Sequence, residues 1–137
     1  MARIMLVDDD VDLVDSNRIM LGAKGHQVLG VHSEKEARQE LEGFGPDVLI
    51  LDVMMDRLYS GFDYAKEVHK QFPTLPILIV SGFNDLLKEK IEFTPDETLL
   101  PIVKFLDKPV TAQDLLKEVE TLLARQLQAS RANALPI

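Results

Sequence analysis

The stretch Ile4-Met5-Leu6-Val7-Asp8-Asp9 decides the fold class, because an aliphatic run ends directly in acids. A second stretch of the same kind, Val48-Leu49-Ile50-Leu51-Asp52, follows further along the chain. Four consecutive aliphatic residues are typical of a β-strand that is buried on both faces, as in a parallel sheet. Each acid therefore lies at the carboxyl end of a buried strand, which is the edge where open parallel sheets bind ligands.

Two later apolar runs bring a hydroxyl group and an amine to the same predicted edge. Ile77-Leu78-Ile79-Val80 ends in Ser81, and residues 102–106 continue through Asp107 into Lys108. A further apolar run, at residues 28–31, alternates with segments of helical periodicity. This alternation predicts an α/β fold, with a doubly wound, flavodoxin-like sheet of five parallel strands in the order 2-1-3-4-5 and helices on both faces.

Helical periodicity and capping signals place the helices between these strands. The predicted helices cover about residues 11–24, 34–44, 62–72 and 111–129. Ser33 and Glu36 form a capping-box pattern, and Thr111 is the predicted cap of the last helix. His69 is assigned to the surface. In residues 84–100, Pro95 and the following Pro101 exclude a long regular helix. We expect one domain over residues 1–129 and a mobile tail over residues 130–137.

Composition excludes several classes of function. Lys and Arg number 15 against 23 Asp and Glu, so the net charge is 15 − 23 = −8. A negative chain without a basic cluster is a poor binder of nucleic acid, whose phosphates must be neutralised by cations. The chain contains no cysteine, which excludes disulfides and thiolate chemistry. The first apolar run is too short for a signal peptide or a membrane span, so we expect a cytoplasmic protein without membrane or nucleic-acid partners.

The acids at the predicted edge favour a cation site. In the 2-1-3-4-5 order, Asp8, Asp9 and Asp52 meet where strands one and three are neighbours. Two carboxylates about 4 Å apart repel each other by roughly 4 kcal/mol at an effective dielectric near 20, so the cluster must protonate or bind a cation. Donor sets made only of oxygen favour Mg²⁺, with Asp8 and Asp9 as its ligands.

A cation beside Lys108 would make this edge attractive to a phosphoryl group. Phosphoryl transfer depends on positioning and on neutralising the charge of the phosphoryl oxygens. Asp52 is the best candidate nucleophile, since a carboxylate can form an acyl phosphate. Lys108 would then pair with one phosphoryl oxygen, and Ser81 would donate a hydrogen bond to another.

Four motifs, each at the end of a predicted strand, occur in order at residues 4–10, 49–55, 79–82 and 106–109. With these motifs the chain resembles the receiver domains of two-component response regulators over about residues 2–128. The resemblance implies phosphorylation of Asp52 by a histidine kinase or a histidine phosphotransfer protein. It also implies a downstream protein target, a monomer or weak homodimer, and no enzymatic activity beyond self-phosphorylation from small donors and autodephosphorylation.

The resemblance also assigns roles to individual residues. It implies Mg²⁺ bound by Asp9, Asp52 and the backbone carbonyl of Met54, with Asp8 in support. Ser81 is the implied switch hydroxyl and Phe105 the implied aromatic switch. The chain departs from the family pattern at residue 56, which is Asp where Pro is usual, and in its longer span between residues 81 and 108.

Other interpretations of the same residues remain open. A metal-dependent phosphatase with an aspartyl nucleophile typically carries a second acid two residues later, where this chain has Met54. A degenerate receiver could act as a constitutive docking module. Residues 8–10 could merely cap the first helix. Lys108 could be an ordinary surface lysine, and Phe105 could belong to the core.

Overall fold

The computed structural model describes the backbone of residues 2–52, 58–81, 103–107 and 110–134. Within these ranges, side chains are described for residues 2–52, 63–80, 104, 106 and 110–125. The strands are β1 (Arg3–Val7), β2 (Gln27–Val31), β3 (Val48–Asp52), β4 (Ile77–Ser81) and β5 (Val103–Asp107). The helices are α1 (Val11–Ala23), α2 (Glu34–Phe44), α3 (Leu58–Gln71) and α4 (Ala112–Ala134).

The strands form one sheet in the order β2-β1-β3-β4-β5, and the pairings between neighbours are parallel. The predicted flavodoxin-like α/β architecture is therefore confirmed, with strands one to four in the order 2-1-3-4 and β5 on the outer side of β4. Parallel neighbours need crossover connections, and the helices supply them.

Alternate residues of the central strands pack into two separate cores. Met5, Val7, Leu49 and Leu51 pack with α2 and α3 on one face of the sheet. Ile4, Leu6, Val48 and Ile50 pack with α1 and α4 on the other face. Because both faces are covered, neither needs polar residues, which explains the unbroken aliphatic runs in the sequence.

The predicted caps are present at several helix ends. Ser33 Oγ accepts a hydrogen bond from Glu36 N at 3.1 Å, and Thr111 Oγ1 accepts one from Asp114 N at 3.0 Å. Gly25 and Gly45 have positive φ angles of 91° and 62°, where a side chain would be strained. These caps confirm where α2 and α4 begin and where α1 and α2 end.

The structure differs from the predictions in three places. The helix α3 begins at Leu58 rather than near residue 62, and α4 continues to Ala134, past the predicted start of the tail. The surface assignment of His69 is wrong, because its side chain is 5% exposed. His69 follows Ala65 by four residues, so it shares the buried face of α3. The predictions for residues 84–100 lie outside the described residues.

Among the described residues, no helix combines the length and the apolar character that a membrane span requires.

Candidate functional site

The register of the sheet brings two of the predicted acids side by side. Val7 of β1 pairs with Leu51 of β3, so the next residues, Asp8 and Asp52, occupy the same row at the carboxyl edge. Adjacent strands in a sheet lie about 4.8 Å apart. The backbone therefore holds these carboxylate-bearing residues on neighbouring strand ends, as the sequence predicts.

The next two strands end in register with this row. Asp52 pairs with Val80, which places Ser81 one position beyond it, and Ser81 pairs with Asp107. The backbones of Ser81 and Phe105 thus lie in β4 and β5, although their side chains lie outside the described residues. Lys108 and Met54 also lie outside the described residues, so their assigned roles stay predictions.

Asp8 is buried and firmly held. Its exposed fraction is 4%, and its Oδ1 accepts a hydrogen bond from Asp10 N at 3.0 Å. Its backbone N–H donates to Val31 O at 3.1 Å, and its carbonyl oxygen lies 3.3 Å from His32 Nδ1. The contacts with Val31 and His32 tie the end of β1 to the end of β2.

The other two acids at residues 8–10 are exposed. Asp10 is the N-cap of α1, and its Oδ1 accepts a hydrogen bond from Leu13 N at 3.2 Å. The capping interpretation therefore holds for Asp10. The side chain of Asp9 lies between these two anchored residues and faces solvent. Asp9 is thus the acid of this segment with the best access to a dissolved ion.

Asp52 lies at the boundary between solvent and the core. Its side chain is half-buried, and its Oδ1 is shielded from solvent. It lines a cavity of about 460 Å³ between the sheet, α1 and the start of α4. The other described lining residues are mostly aliphatic: Leu6, Leu13, Asn17, Ile50, Val80, Val110 and Leu115. An apolar wall on one side strengthens the electrostatic interactions of the carboxylate with any cation at the edge.

The donor chemistry fits a hard cation, but the three acids do not form a compact cluster. Within the described ranges, no three carboxylate, histidine or cysteine side chains are grouped as a metal site would require. Asp8 is buried and bonded to Asp10, so it suits a supporting role better than a direct one. A set of Asp9, Asp52 and a backbone carbonyl needs only two side chains, and its oxygen donors suit Mg²⁺.

Sequence reasoning missed His32 and Asn17. His32 follows β2 directly, as Asp8 follows β1, so its position at a strand end was the available signal. Asn17 lies one helical turn after Leu13 and reaches the same cavity. No pattern in the sequence marks Asn17, because its position depends on how α1 packs on the sheet.

Comparison with known proteins decides the family. The sequence model of the protein family described as the response regulator receiver domain matches residues 4–120 of this chain. The chain belongs to the response regulator receiver domain family. The motifs at the strand ends were thus a sound basis for the resemblance to receiver domains.

Individual receiver domains and regulators show the same likeness. The response regulator MprA of Mycobacterium ulcerans is 32% identical over 126 residues, covering 90% of this chain and 50% of MprA. The chain therefore spans about half the length of the curated relatives it matches. The crystal structure of a receiver domain protein from Clostridium thermocellum has a TM-score of 0.76 and 29% identity, covering 94% of this chain and 99% of that one. NtrX from Brucella abortus has a TM-score of 0.81 and 25% identity, covering 98% of this chain and 29% of NtrX.

Proposed function

We propose that this receiver domain is a phosphoacceptor of a two-component phosphorelay, that Asp52 is its phosphorylated residue, and that phosphorylation switches a protein-binding surface. The observation that carries the proposal is the register of β1 with β3, which puts Asp52 beside Asp8 at the carboxyl edge. The half-buried position of Asp52 also supports it, since the carboxylate is partly accessible to a phosphoryl donor and partly shielded from solvent.

The reaction is the transfer of a phosphoryl group to a carboxylate oxygen. A partner histidine kinase or histidine phosphotransfer protein presents a phosphohistidine, and an oxygen of Asp52 attacks its phosphorus. The N–P bond breaks, and the imidazole nitrogen keeps the electron pair and takes up a proton. The new O–P bond makes an acyl phosphate. Attack by water later releases inorganic phosphate and restores the carboxylate. We propose no enzymatic activity beyond self-phosphorylation from small donors and this autodephosphorylation.

The residues around Asp52 position the phosphoryl group and balance its charge. Mg²⁺ would be held by Asp9, Asp52 and the carbonyl of Met54, with Asp8 in support. When bound, this ion neutralises charge on the phosphoryl oxygens. Lys108 pairs with a second oxygen, and Ser81 donates a hydrogen bond to a third.

Phosphorylation adds about two negative charges at the carboxyl edge of the sheet. Ser81 lies in β4, the strand next to Asp52, and Phe105 lies one strand further out, in β5, where it pairs with Ile79 of β4. Movement of Ser81 and repacking of Phe105 would favour one of two surface conformations, and a downstream protein would bind that conformation. The domain acts in the cytoplasm as a monomer or weak homodimer, without contact to membranes or nucleic acid.

The proposal is tested by following the intact mass of the full chain with Mg²⁺ and acetyl phosphate as donor. The wild type should gain one labile phosphoryl group, and Asp52→Asn should gain none. Asp47→Asn is the matched control, because Asp47 precedes the same strand at the opposite edge and contacts the backbone N–H of Arg3. An adduct on Asp52→Asn would contradict the proposal. The absence of any adduct on the wild type would favour a constitutive docking module.

A further inference from the structure

His32 connects the end of β2 to the predicted phosphorylation site. It directly follows the last residue of β2, and its side chain is half-buried. Its Nδ1 lies 3.3 Å from the carbonyl oxygen of Asp8. Since a carbonyl oxygen is only an acceptor, this contact is a hydrogen bond only when Nδ1 carries the proton.

The backbone around His32 is also fixed. Its N–H donates to Glu36 Oε2 at 3.4 Å, in the first turn of α2, whose start is capped by Ser33. His32 therefore joins the N-terminus of α2 to the backbone of Asp8. Asp10 N donates a hydrogen bond to Asp8 Oδ1, and Leu13 N of α1 donates one to Asp10 Oδ1. These two hydrogen bonds join the segment of residues 8–10 to α1.

A second histidine provides an internal comparison. His26 precedes β2 at the opposite edge of the sheet, and its Nδ1 accepts a hydrogen bond from the backbone N–H of Ala2 at 3.2 Å. An accepting Nδ1 requires the proton to be on Nε2. The two histidines thus contact the backbone at opposite ends of β1 through the same ring atom, and a hydrogen bond at His32 requires the proton position opposite to that of His26.

We propose that His32 is a positioning residue: its Nδ1–H donates to the carbonyl of Asp8 and fixes the segment that presents Asp9 to the cation. The inference rests on the proposed function and adds a residue to its machinery. Asp9 itself is exposed and lies between two anchored neighbours, so its direction depends on the backbone at Asp8 and Asp10. Outer-sphere groups of this kind typically affect metal affinity or activity by about 10–100-fold.

The position of the proton is tested by ¹⁵N nuclear magnetic resonance of the imidazole rings, in the wild-type chain at a pH where both histidines are neutral. His32 should show a protonated Nδ1 and His26 a protonated Nε2. A protonated Nε2 in neutral His32 would overturn the proposal, because no hydrogen bond to the Asp8 carbonyl could then form. This measurement needs neither metal nor phosphoryl donor.

The functional role is tested with variants that move or remove the donor. Asn places an amide N–H near the position of Nδ1, whereas Gln places it near Nε2. We expect His32→Ala and His32→Gln to weaken Mg²⁺ binding, measured by calorimetry, and to slow phosphorylation by acetyl phosphate by about tenfold. His32→Asn should restore both to within about threefold of the wild type. Urea unfolding should show that the variants are folded under the assay conditions.

His26→Ala is the matched control, and it should leave Mg²⁺ affinity and phosphorylation unchanged. If His32→Ala or His32→Gln matches the wild type in both assays, or His32→Asn fails to rescue, His32 does not position the site. If the wild type itself takes up no phosphate, the proposed function fails instead. The two failures are thus distinguishable.

Discussion

At the scale of single residues, Asp8, Asp9 and Asp10 are adjacent in sequence but lie in three different environments. Asp8 is buried and bonded to the backbone, and Asp10 caps α1. Asp9 is exposed between them. The run of acids and the capping role of Asp10 were predictable from the sequence. The burial of Asp8 beside an exposed Asp9 was not, because it depends on hydrogen bonds that form only after β1, β2 and α1 have packed.

Replacing Asp9 with Asn should weaken Mg²⁺ binding by at least about tenfold, because a charged ligand becomes a neutral one. Calorimetric titration of the full chain measures the affinity. Asp12→Asn is the control, since Asp12 is an exposed acid in the first turn of α1 and makes the same change in charge. If both variants lose the same small amount of affinity, the effect is long-range charge and Asp9 is not a ligand.

Gly30 in β2 allows α1 to pack closely on the sheet. A Cβ at this position would clash with Cγ1 of Val14, whose side chain lies on the buried face of α1. Gly30→Ala should therefore lower the free energy of unfolding by about 1–3 kcal/mol, as overpacked cores do, measured by urea denaturation.

Gly22→Ala provides the matched comparison for Gly30→Ala. A Cβ at Gly22 in α1 meets no heavy atom within 4 Å. This variant should be about 0.5–1 kcal/mol more stable than the wild type, because alanine favours the helix. Adding Val14→Ala to Gly30→Ala should recover part of the loss. A Gly30→Ala protein as stable as the wild type would show that α1 and β2 are not in close contact.

At the scale of elements, the strands and most helix ends could be predicted, and the reasons are local. The strands have aliphatic runs because both faces of the sheet are covered, and Ser33, Thr111, Gly25 and Gly45 satisfy the backbone at helix ends without help from distant residues. The burial of His69 could have been predicted, because it lies four residues after Ala65 on the buried face of α3. The start of α3 could not be predicted, because it depends on how α3 lies against the sheet. His32 was missed for the same reason, since its contact with Asp8 depends on the register of β2.

Ser33→Ala should destabilise the protein by about 1 kcal/mol, because the N–H of Glu36 loses its acceptor at the start of α2. Ser16→Ala is the control, because Ser16 lies on the exposed side of α1, where alanine is at least as favourable. Thermal and urea unfolding measure both variants. Equal effects from the two substitutions would contradict the assignment of Ser33 as a cap.

The free energy of unfolding should fall at alkaline pH because of Tyr64, which lies on the buried face of α3. Burial raises the pKa of the Tyr64 hydroxyl to about 12 from an ordinary value of 10.0, although the nearby Arg38 guanidinium acts to lower that pKa. The folded chain therefore holds the proton more tightly than the unfolded chain. The stabilisation that comes from this raised pKa of Tyr64 is fully present below pH 10 and is lost as the pH rises toward about 12.

Tyr64→Phe removes this dependence. Its stability relative to the wild type should rise between pH 10 and 12, by up to roughly 2 kcal/mol, when urea unfolding is compared across that range. Near neutral pH Tyr64→Phe should be at least as stable as the wild type, since it removes a buried hydroxyl that has no hydrogen-bond partner in the described part of the chain. A difference that is constant with pH would show that Tyr64 titrates normally.

At the scale of the whole molecule, the sheet gathers residues that are distant in sequence at one edge. The strands β1, β3, β4 and β5 end within about one residue of each other in register, so Asp8, Asp52 and Ser81 lie at the same edge of the sheet. Lys108 follows directly after the last residue of β5 in the sequence. This convergence could be predicted, because parallel strands joined by right-handed crossovers share their carboxyl edge. The side-chain geometry of Ser81, Phe105 and Lys108 lies outside the described residues, so their roles remain predictions.

In the proposed reaction one particular carboxylate, that of Asp52, accepts the phosphoryl group. This assignment is tested most directly by phosphorylating the chain with acetyl phosphate and Mg²⁺, reducing the acyl phosphate with borohydride and locating the resulting homoserine by mass spectrometry. Trypsin separates residues 39–57, which contain Asp52, from residues 4–18, which contain Asp8, Asp9 and Asp10. Homoserine is expected at residue 52. Homoserine at residue 8, 9, 10 or 47, or at no residue, would contradict this assignment.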